Sequence, residues 1–395
     1  MRRVLMTADA VGGVWTYAVD LARGLAERRI DTLLAVMGPA PSESQQHAVH
    51  DTPGVTIAHL PGRLEWMDDP WDDVRAAGDW LLDLERGFEP DLVHLNGYCH
   101  GHLPWSVPVM MAGHSCVASW WRAVKDETLP SRYDQYVESV RRGLAAADLV
   151  VAPSAAMLGA LQEHYGPLRS ACVIHNGRTP WPGHPGTTPS SLTQLKEPLV
   201  LTAGRLWDEA KNVRAVDEAA GRVSWPVFVA GDTGGVNGNG ADSGAGGGAG
   251  EGVTFRHAQP LGRLSAAEME DWMAGAAIYV LPARYEPFGL SVLEAAHSGC
   301  ALVLGDIPSL REIWGKAALY VRPDDPEGLA AAVQRLAGDP RVRLDMAARA
   351  RRRAERFTAA RMVARYCAAY EALLVRARQR QLEAESAHFR ALALS

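Results

Sequence analysis

The chain has few cysteines, and none of them form a pattern. Cys99, Cys116, Cys172, Cys300 and Cys367 are odd in number, widely spaced and never arranged as CxxC. That excludes a disulfide scaffold and a zinc knuckle and points to a reducing, cytoplasmic setting. No run of about 18 apolar residues occurs, so no segment is expected to span a membrane. The apolar start after two arginines is broken by Thr7 and Asp9, too early for a signal-peptide core. A basic excess is also missing: 40 Lys and Arg face 46 Asp and Glu, a net charge of −6. A chain that grips nucleic acid clusters cations instead, so no nucleic-acid partner is expected.

What is present is alternation. Strand-like runs at Val4 to Thr7, Thr32 to Met37, Val55 to Leu60, Asp91 to Leu95, Val107 to Ala112, Leu149 to Ala152 and Ala171 to His175 are separated mostly by helical patterns, the first around Val14 to Arg28. Such alternation predicts an α/β fold with an open, mostly parallel sheet. The segment Arg178 to Pro198 holds five prolines and no apolar period, and reads as a linker. A second series follows at Leu199 to Ala203, Val227 to Ala230, Val253 to Phe255, Ile278 to Leu281, Ala301 to Leu304 and Leu319 to Val321. The expected organisation is a first domain over 1–180, a linker over 181–198, a second domain over 199–360, and a C-terminal helix over 361–395 that could cross back to the first domain. Ligands of open α/β sheets sit at the carboxyl ends of strands, so the expected site is the cleft between the halves. Residues 234–252 carry ten glycines in nineteen positions and are given no catalytic role. The arginine-rich region after Arg341 reads as a solvated helix face, with peripheral contact to an anionic membrane left open.

Several short motifs could carry chemistry. In EPFGLSVLE, Glu286 falls in a loop and a helix is expected to begin near Ser291, with Ser291 and Glu294 forming an S-x-x-E capping box. The N–H groups near Gly289 and Leu290 make a natural phosphate seat, and a carboxylate beside it suits sugar hydroxyls. In TAGRLWDEAKN, Arg205 and Lys211 are the pair of cations that neutralises a diphosphate, and a salt bridge from Arg205 to Asp208 or Glu209 is an equal reading. In ADAVGGVW, Gly12 and Gly13 let backbone approach a ligand, though a plain strand-to-helix turn accounts for them as well. His114 in AGHSC follows a strand, where it could donate to a sugar hydroxyl or share in proton transfer. Neither G-x-G-x-x-G nor a P-loop is present, nor a G-x-S-x-G elbow. No two aspartates stand two apart, so a D-x-D metal pair is missing, and the histidines near Cys99 lack metal-site spacing. No metal is expected.

Taken in order, Gly12-Gly13, His114, VIHNG at Val173 to Gly177, GRL with Lys211, E-P-F-G-L-x-x-L-E and SGCALVLGDIPSLREI at Ser298 to Ile313 resemble the GT-B glycosyltransferases of the family-4 type. The resemblance spans about residues 1 to 375. It implies two Rossmann-like doubly wound domains facing across a cleft, and a retaining, metal-independent transfer of a sugar from a UDP-, GDP- or ADP-linked donor. It further implies that Arg205 and Lys211 bind the diphosphate and that backbone from Phe288 through Gly289 and Leu290 to Ser291 binds its distal phosphate. Glu294 would take the ribose hydroxyls, Glu286 the donor sugar near its 3-hydroxyl, and His114 its 6-hydroxyl. Gly13 would let the first loop touch the diphosphate, and the base would rest against His257 to Leu261. The family often continues N-G with a small apolar residue and Asp; here Arg178-Thr179 follow, and they are not counted in the site.

The acceptor, a glycan, lipid or small molecule, is expected on the first domain. Seven of the twelve tryptophans precede residue 122, and Trp120 and Trp121 are singled out as an acceptor wall. Two other readings stay open: a GT-B sugar phosphorylase or nucleotide-sugar epimerase, and a non-catalytic nucleotide-sugar-binding protein.

Overall fold

The computed structural model describes residues 1–180, 196–233 and 253–393, with side chains of the final helix as far as 386. The glycine-rich stretch and linker residues 181–195 lie outside the described residues. The first sheet comprises β1 (Arg3–Asp9), β2 (Asp31–Met37), β3 (Val55–Leu60), β4 (Leu92–Leu95), β5 (Val109–Ala112), β6 (Leu149–Ala152) and β7 (Ala171–Val173), ordered β3-β2-β1-β4-β5-β6-β7. The second comprises β8 (Glu197–Ala203), β9 (Val227–Ala230), β10 (Gln259–Gly262), β11 (Ala276–Leu281), β12 (Ala301–Gly305) and β13 (Leu319–Val321), ordered β10-β9-β8-β11-β12-β13. Every described pairing is parallel.

Helices cover both faces. They are α1 (Gly13–Ala26), α2 (Glu43–His50), α3 (Trp71–Phe88), α4 (Val117–Lys125), α5 (Asp134–Ala146), α6 (Ala155–Tyr165), α7 (Val213–Ala220), α8 (Ala266–Gly275), α9 (Leu290–His297), α10 (Pro308–Trp314), α11 (Pro326–Gly338), α12 (Pro340–Ala354) and α13 (Ala359–Ala393). Because both faces are covered, central strands are buried along their length rather than alternately. Alternate residues still part to opposite layers: Val4, Met6 and Ala8 join one apolar cluster and Leu5 the other. Helix α13 packs on α1 in the first of these layers, with Met362, Val363, Tyr366 and Tyr370 inside the cluster.

One expected strand moves. Val253 to Phe255 is not a strand; the chain pairs with β9 only from Gln259 onward. The reason is local: the Asp217 carboxylate of α7 accepts the backbone N–H groups of Arg256, His257 and Ala258, at 2.8 to 3.0 Å, and holds that approach out of the ladder. The linker also ends earlier than expected, since β8 begins at Glu197.

In each sheet the strand order reverses beside the first strand, at β1/β4 and at β8/β11. These are the switch points where open α/β sheets leave a crevice at their carboxyl ends. The loops leaving β1, β8 and β11 carry Gly12-Gly13, Arg205 and Glu286.

Candidate active site

The loop after β8 is built to hold its cations still. At Gly231 a side chain could not fit, because a Cβ would lie 1.8 Å from the carbonyl oxygen of Gly204. That close approach seats the β9 end under the β8 loop. Asp208, almost wholly buried, accepts from Ala210 N–H at 3.0 Å, from Trp120 Nε1 at 3.0 Å and from Arg205 Nη2 at 3.0 Å. Burial raises its pKa, but Lys211 and Arg205 outweigh that and leave it below the usual carboxylate range. Asn212, in the left-handed region at φ 56°, donates to Pro282 O at 2.9 Å and Pro323 O at 2.6 Å, tying this loop to those after β11 and β13. Lys211 thereby reaches the β11 loop, where its Nζ lies 2.6 Å from Glu286 Oε2.

Glu286 is itself braced. Its backbone carbonyl accepts from Ser309 Oγ at 2.6 Å. Two residues on, Phe288 is core, packed against the rings of His175 and Phe357, so only its backbone is available to a ligand. Gly289, at φ 89°, starts α9. The expected capping box does not form. The helix begins at Leu290, which puts Ser291 inside the first turn beside Tyr279 and sends Glu294 to Arg178 instead.

The first sheet's loop comes to meet these groups. A Cβ at Gly12 would lie 3.7 Å from Arg205 Nη1, and one at Gly13 would lie 3.5 Å from Leu290 Cδ1. The N-termini of α1 and α9 therefore approach each other, beside Arg205. Two positive helix ends meet there, beside Arg205 and Lys211 of the β8 loop, which are paired to Asp208 and Glu286. The strand β10, which carries Leu261, is tied to the end of β9, where Gly231 N–H donates to Gly262 O at 2.8 Å.

Residues 11–180 match the family model described as Glycosyltransferase Family 4, and residues 197–339 the model described as Glycosyl transferases group 1. The chain belongs to the GT-B glycosyltransferases of the family-4 type. It is 29% identical over 376 residues to a glycogen synthase of Mycobacterium tuberculosis, covering 87% of this chain and 86% of that protein. With a D-inositol 3-phosphate glycosyltransferase of Streptomyces scabiei it shares 26% over 396 residues, covering 89% and 84%. Among solved structures, a sucrose-phosphate synthase from Thermosynechococcus elongatus superposes with a TM-score of 0.69 at 17% identity over 98% of this chain and all of that one. Anabaena HepE in complex with UDP-glucose superposes with a TM-score of 0.69 at 16% identity over 94% of this chain and all of that one.

In this glycosyltransferase His114 follows β5, at the carboxyl end of the first sheet. Asn96 donates through Nδ2 to Thr7 O at 2.7 Å, which turns its Oδ1 toward His114 Nε2 at 2.9 Å. Desolvation pushes the His114 pKa down to about 4, so the ring is neutral near pH 7. With Nε2–H given to Asn96, Nδ1 is the ring's acceptor. A neutral ring in this tautomer takes a hydrogen bond from a hydroxyl rather than donating one. Tyr17 packs edge-on against it with centroids 4.4 Å apart.

The two tryptophans part company. Trp120 is bound across the cleft to Asp208, whereas Trp121 lies in the core against Tyr133 and under Arg132, so it does not present an open wall. Amphipathic spacing on α4 decides this: consecutive residues point in different directions, and only one can face the cleft. Further contacts span the cleft: Tyr285 and Ser119 hydroxyls at 2.8 Å, and Lys125 with Glu209 at 2.7 Å. Among the described residues no group of three or more His, Cys, Asp or Glu could hold a metal ion, and no helix is long and apolar enough to cross a membrane.

Sequence reasoning missed Asn96, Asn212 and Asp20; it named Asp208 only as a salt-bridge partner of Arg205, a pairing that forms, and it set Arg178 aside. Asn96 had a signal, a polar residue directly after a buried strand. Arg178 had one too, as a departure from the family pattern.

Proposed function

We propose that this glycosyltransferase moves a hexosyl group from a nucleoside-diphosphate sugar to an acceptor hydroxyl with retention and without a metal ion. The observation that carries the reading is the convergence of Arg205, Lys211 and the N-termini of α1 and α9 beside Gly12 and Gly13. In this reading Arg205 and Lys211 neutralise the diphosphate, and the backbone at Phe288 to Ser291 takes its distal phosphate. Leu261 flanks the base, Glu294 takes the ribose hydroxyls, Glu286 the sugar's 3-hydroxyl, and His114 Nδ1 accepts from its 6-hydroxyl. HepE, with its UDP-glucose, supports a nucleotide-linked hexose as donor class.

The bond from the sugar's C1 to the phosphate oxygen breaks with its electron pair going to the phosphate. The acceptor oxygen bonds C1 on the same face, and its proton passes to that phosphate. Catalysis then rests on positioning and on charge stabilisation. The acceptor would approach the cavity at the carboxyl ends of β1, β2 and β4, lined by Asp9, Glu65, Trp66 and Asn96, the last of which holds His114. The five free thiols suit a cytoplasmic setting.

The deciding experiment is calorimetric titration of UDP, GDP and ADP with EDTA present. One diphosphate should bind the wild type and bind Arg205→Ala about tenfold or more weaker. Binding that needs a divalent ion, or no binding of any of the three, overturns the reading. Retention is read separately from the anomeric configuration of the product by NMR.

A further inference from the structure

Arg178 joins two carboxylates from opposite sides of the cleft. Its Nη1 donates to Asp20 Oδ2 on α1 at 2.8 Å, and its Nε forms an ion pair with Glu294 Oε1 on α9 at 2.8 Å, outside hydrogen-bond geometry. The three side chains are only 17%, 8% and 17% exposed. Its backbone is pinned as well: Arg178 N–H donates to Phe357 O at 3.0 Å, and Ala359 N–H donates to Arg178 O at 3.2 Å. Arg178 thus stands where the chain leaves the first sheet and where α13 returns to it.

A brace alone does not explain the choice of residues. Two carboxylates and one guanidinium leave a net negative charge in a buried place, which costs more than an apolar contact of the same size. Burial pushes the Glu294 carboxyl up, against the pull of Arg178. Glu294 lies one helical turn from Leu290, on the same face, at the end of α9 where the diphosphate is read to sit. An unrestrained carboxylate there would repel phosphate. Arg178 offsets that charge and holds Oε1 on its own side, while Oε2 keeps acceptor capacity for a diol.

We infer that Arg178 is a positioning residue for the donor's ribose: it fixes Glu294 through Oε1 so that Oε2 meets the vicinal hydroxyls, and through Asp20 it ties that grip to the first domain. The inference rests on the proposed role of Glu294. It is tested by calorimetry with whichever of UDP, GDP and ADP the wild type binds, paired with its 2′-deoxy form. The wild type should prefer the ribose form about tenfold. Arg178→Met should lose most of that preference, with affinity for the deoxy form within about threefold of wild type, and Arg178→Lys should restore part of it. Arg178→Lys stands in if the Met variant does not fold, and a reduced preference is again the supporting result. A wild-type preference kept in Arg178→Met, or equal weakening of both forms, overturns the inference. Glu294→Gln separates the two levels. If it loses the preference while Arg178→Met keeps it, the Glu294 reading stands and the Arg178 role falls. If Glu294→Gln keeps it, the Glu294 reading itself fails and takes the inference with it.

Discussion

Lys211 Nζ and Glu286 Oε2 are 2.6 Å apart, a direct ion pair between the loop after β8 and the loop after β11, with both side chains less than a fifth exposed. Each therefore sets the electrostatic state of the other. Lys211→Ala leaves Glu286 without its cation beside the phosphate seat, and both diphosphate affinity and turnover should fall, turnover by about a hundredfold or more. Glu286→Gln keeps the shape and should keep diphosphate binding within about threefold while turnover falls by a similar factor. Calorimetry beside a rate assay checks both, and normal turnover in Glu286→Gln would sink its assignment to the donor sugar.

Acid should destabilise the protein earlier than carboxylate titration alone would. His94 is wholly buried between the Tyr17 and Tyr370 hydroxyls, and its pKa is pushed down to about 3; that of His114 is pushed down to about 4. Unfolded histidine titrates near 6.5, so between that value and the folded pKa the unfolded chain binds more protons, and stability rises with pH. The contribution should be fully present above about 6.5 and lost progressively on the way down, to about 4 for His114 and about 3 for His94, each ring giving up at most about 1.4 kcal/mol for every pH unit of its descent. Urea midpoints at pH 5, 6 and 7 should rise in that order. His94→Gln should flatten the profile; an unchanged slope in that variant would assign the effect elsewhere.

Gly177 is needed for space alone. A Cβ there would lie 2.2 Å from the backbone oxygen of Thr358, just before α13, and a backbone atom cannot swing away as a side chain can. Gly177→Ala should cost about 2–4 kcal/mol. Gly159, inside α6 with nothing within 4 Å of its would-be Cβ, is the control, and Gly159→Ala should stabilise by about 0.5–1 kcal/mol. Thermal melts of the two variants should move in opposite directions.

Helix α6 is capped partly from the other domain. Its own Ser154 accepts from Met157 N–H at 3.1 Å, and Glu312 of α10 accepts from Ala155 and Ala156 N–H at 2.7 and 2.9 Å. A carboxylate at a helix N-terminus is favoured by the dipole. Glu312→Ala should lower stability by about 1–2 kcal/mol, and Glu312→Gln by less. Chemical denaturation measures this, and equal stability of all three proteins would mean the cross-domain cap contributes nothing.

Much of the fold was legible because buried parallel strands are short apolar runs between turn residues. The β1, β2 and β11 runs declare themselves that way. Val253 to Phe255 misled for the same reason: it is apolar, but Asp217 holds the residues after it out of the ladder. The capping box at Ser291 and Glu294 fails because α9 starts earlier, at Leu290 after Gly289, which leaves Glu294 to pair with Arg178. Trp120 and Trp121 are adjacent in sequence, yet one faces Asp208 and the other the core, a distinction set by which face of α4 is covered.

The sequence by itself determined the two α/β halves, the order of the glycosyltransferase motifs and the chemical types at the site, since these depend on local period, turn residues and side-chain chemistry. Only the tertiary structure decided which groups meet. That Gly12 lies beside Arg205, that Asn96 sets the tautomer of His114, and that Arg178 reaches both Asp20 and Glu294 depend on contacts between residues far apart in the chain. Such contacts are fixed by how two packed sheets and a returning helix fill space, and no local pattern encodes them.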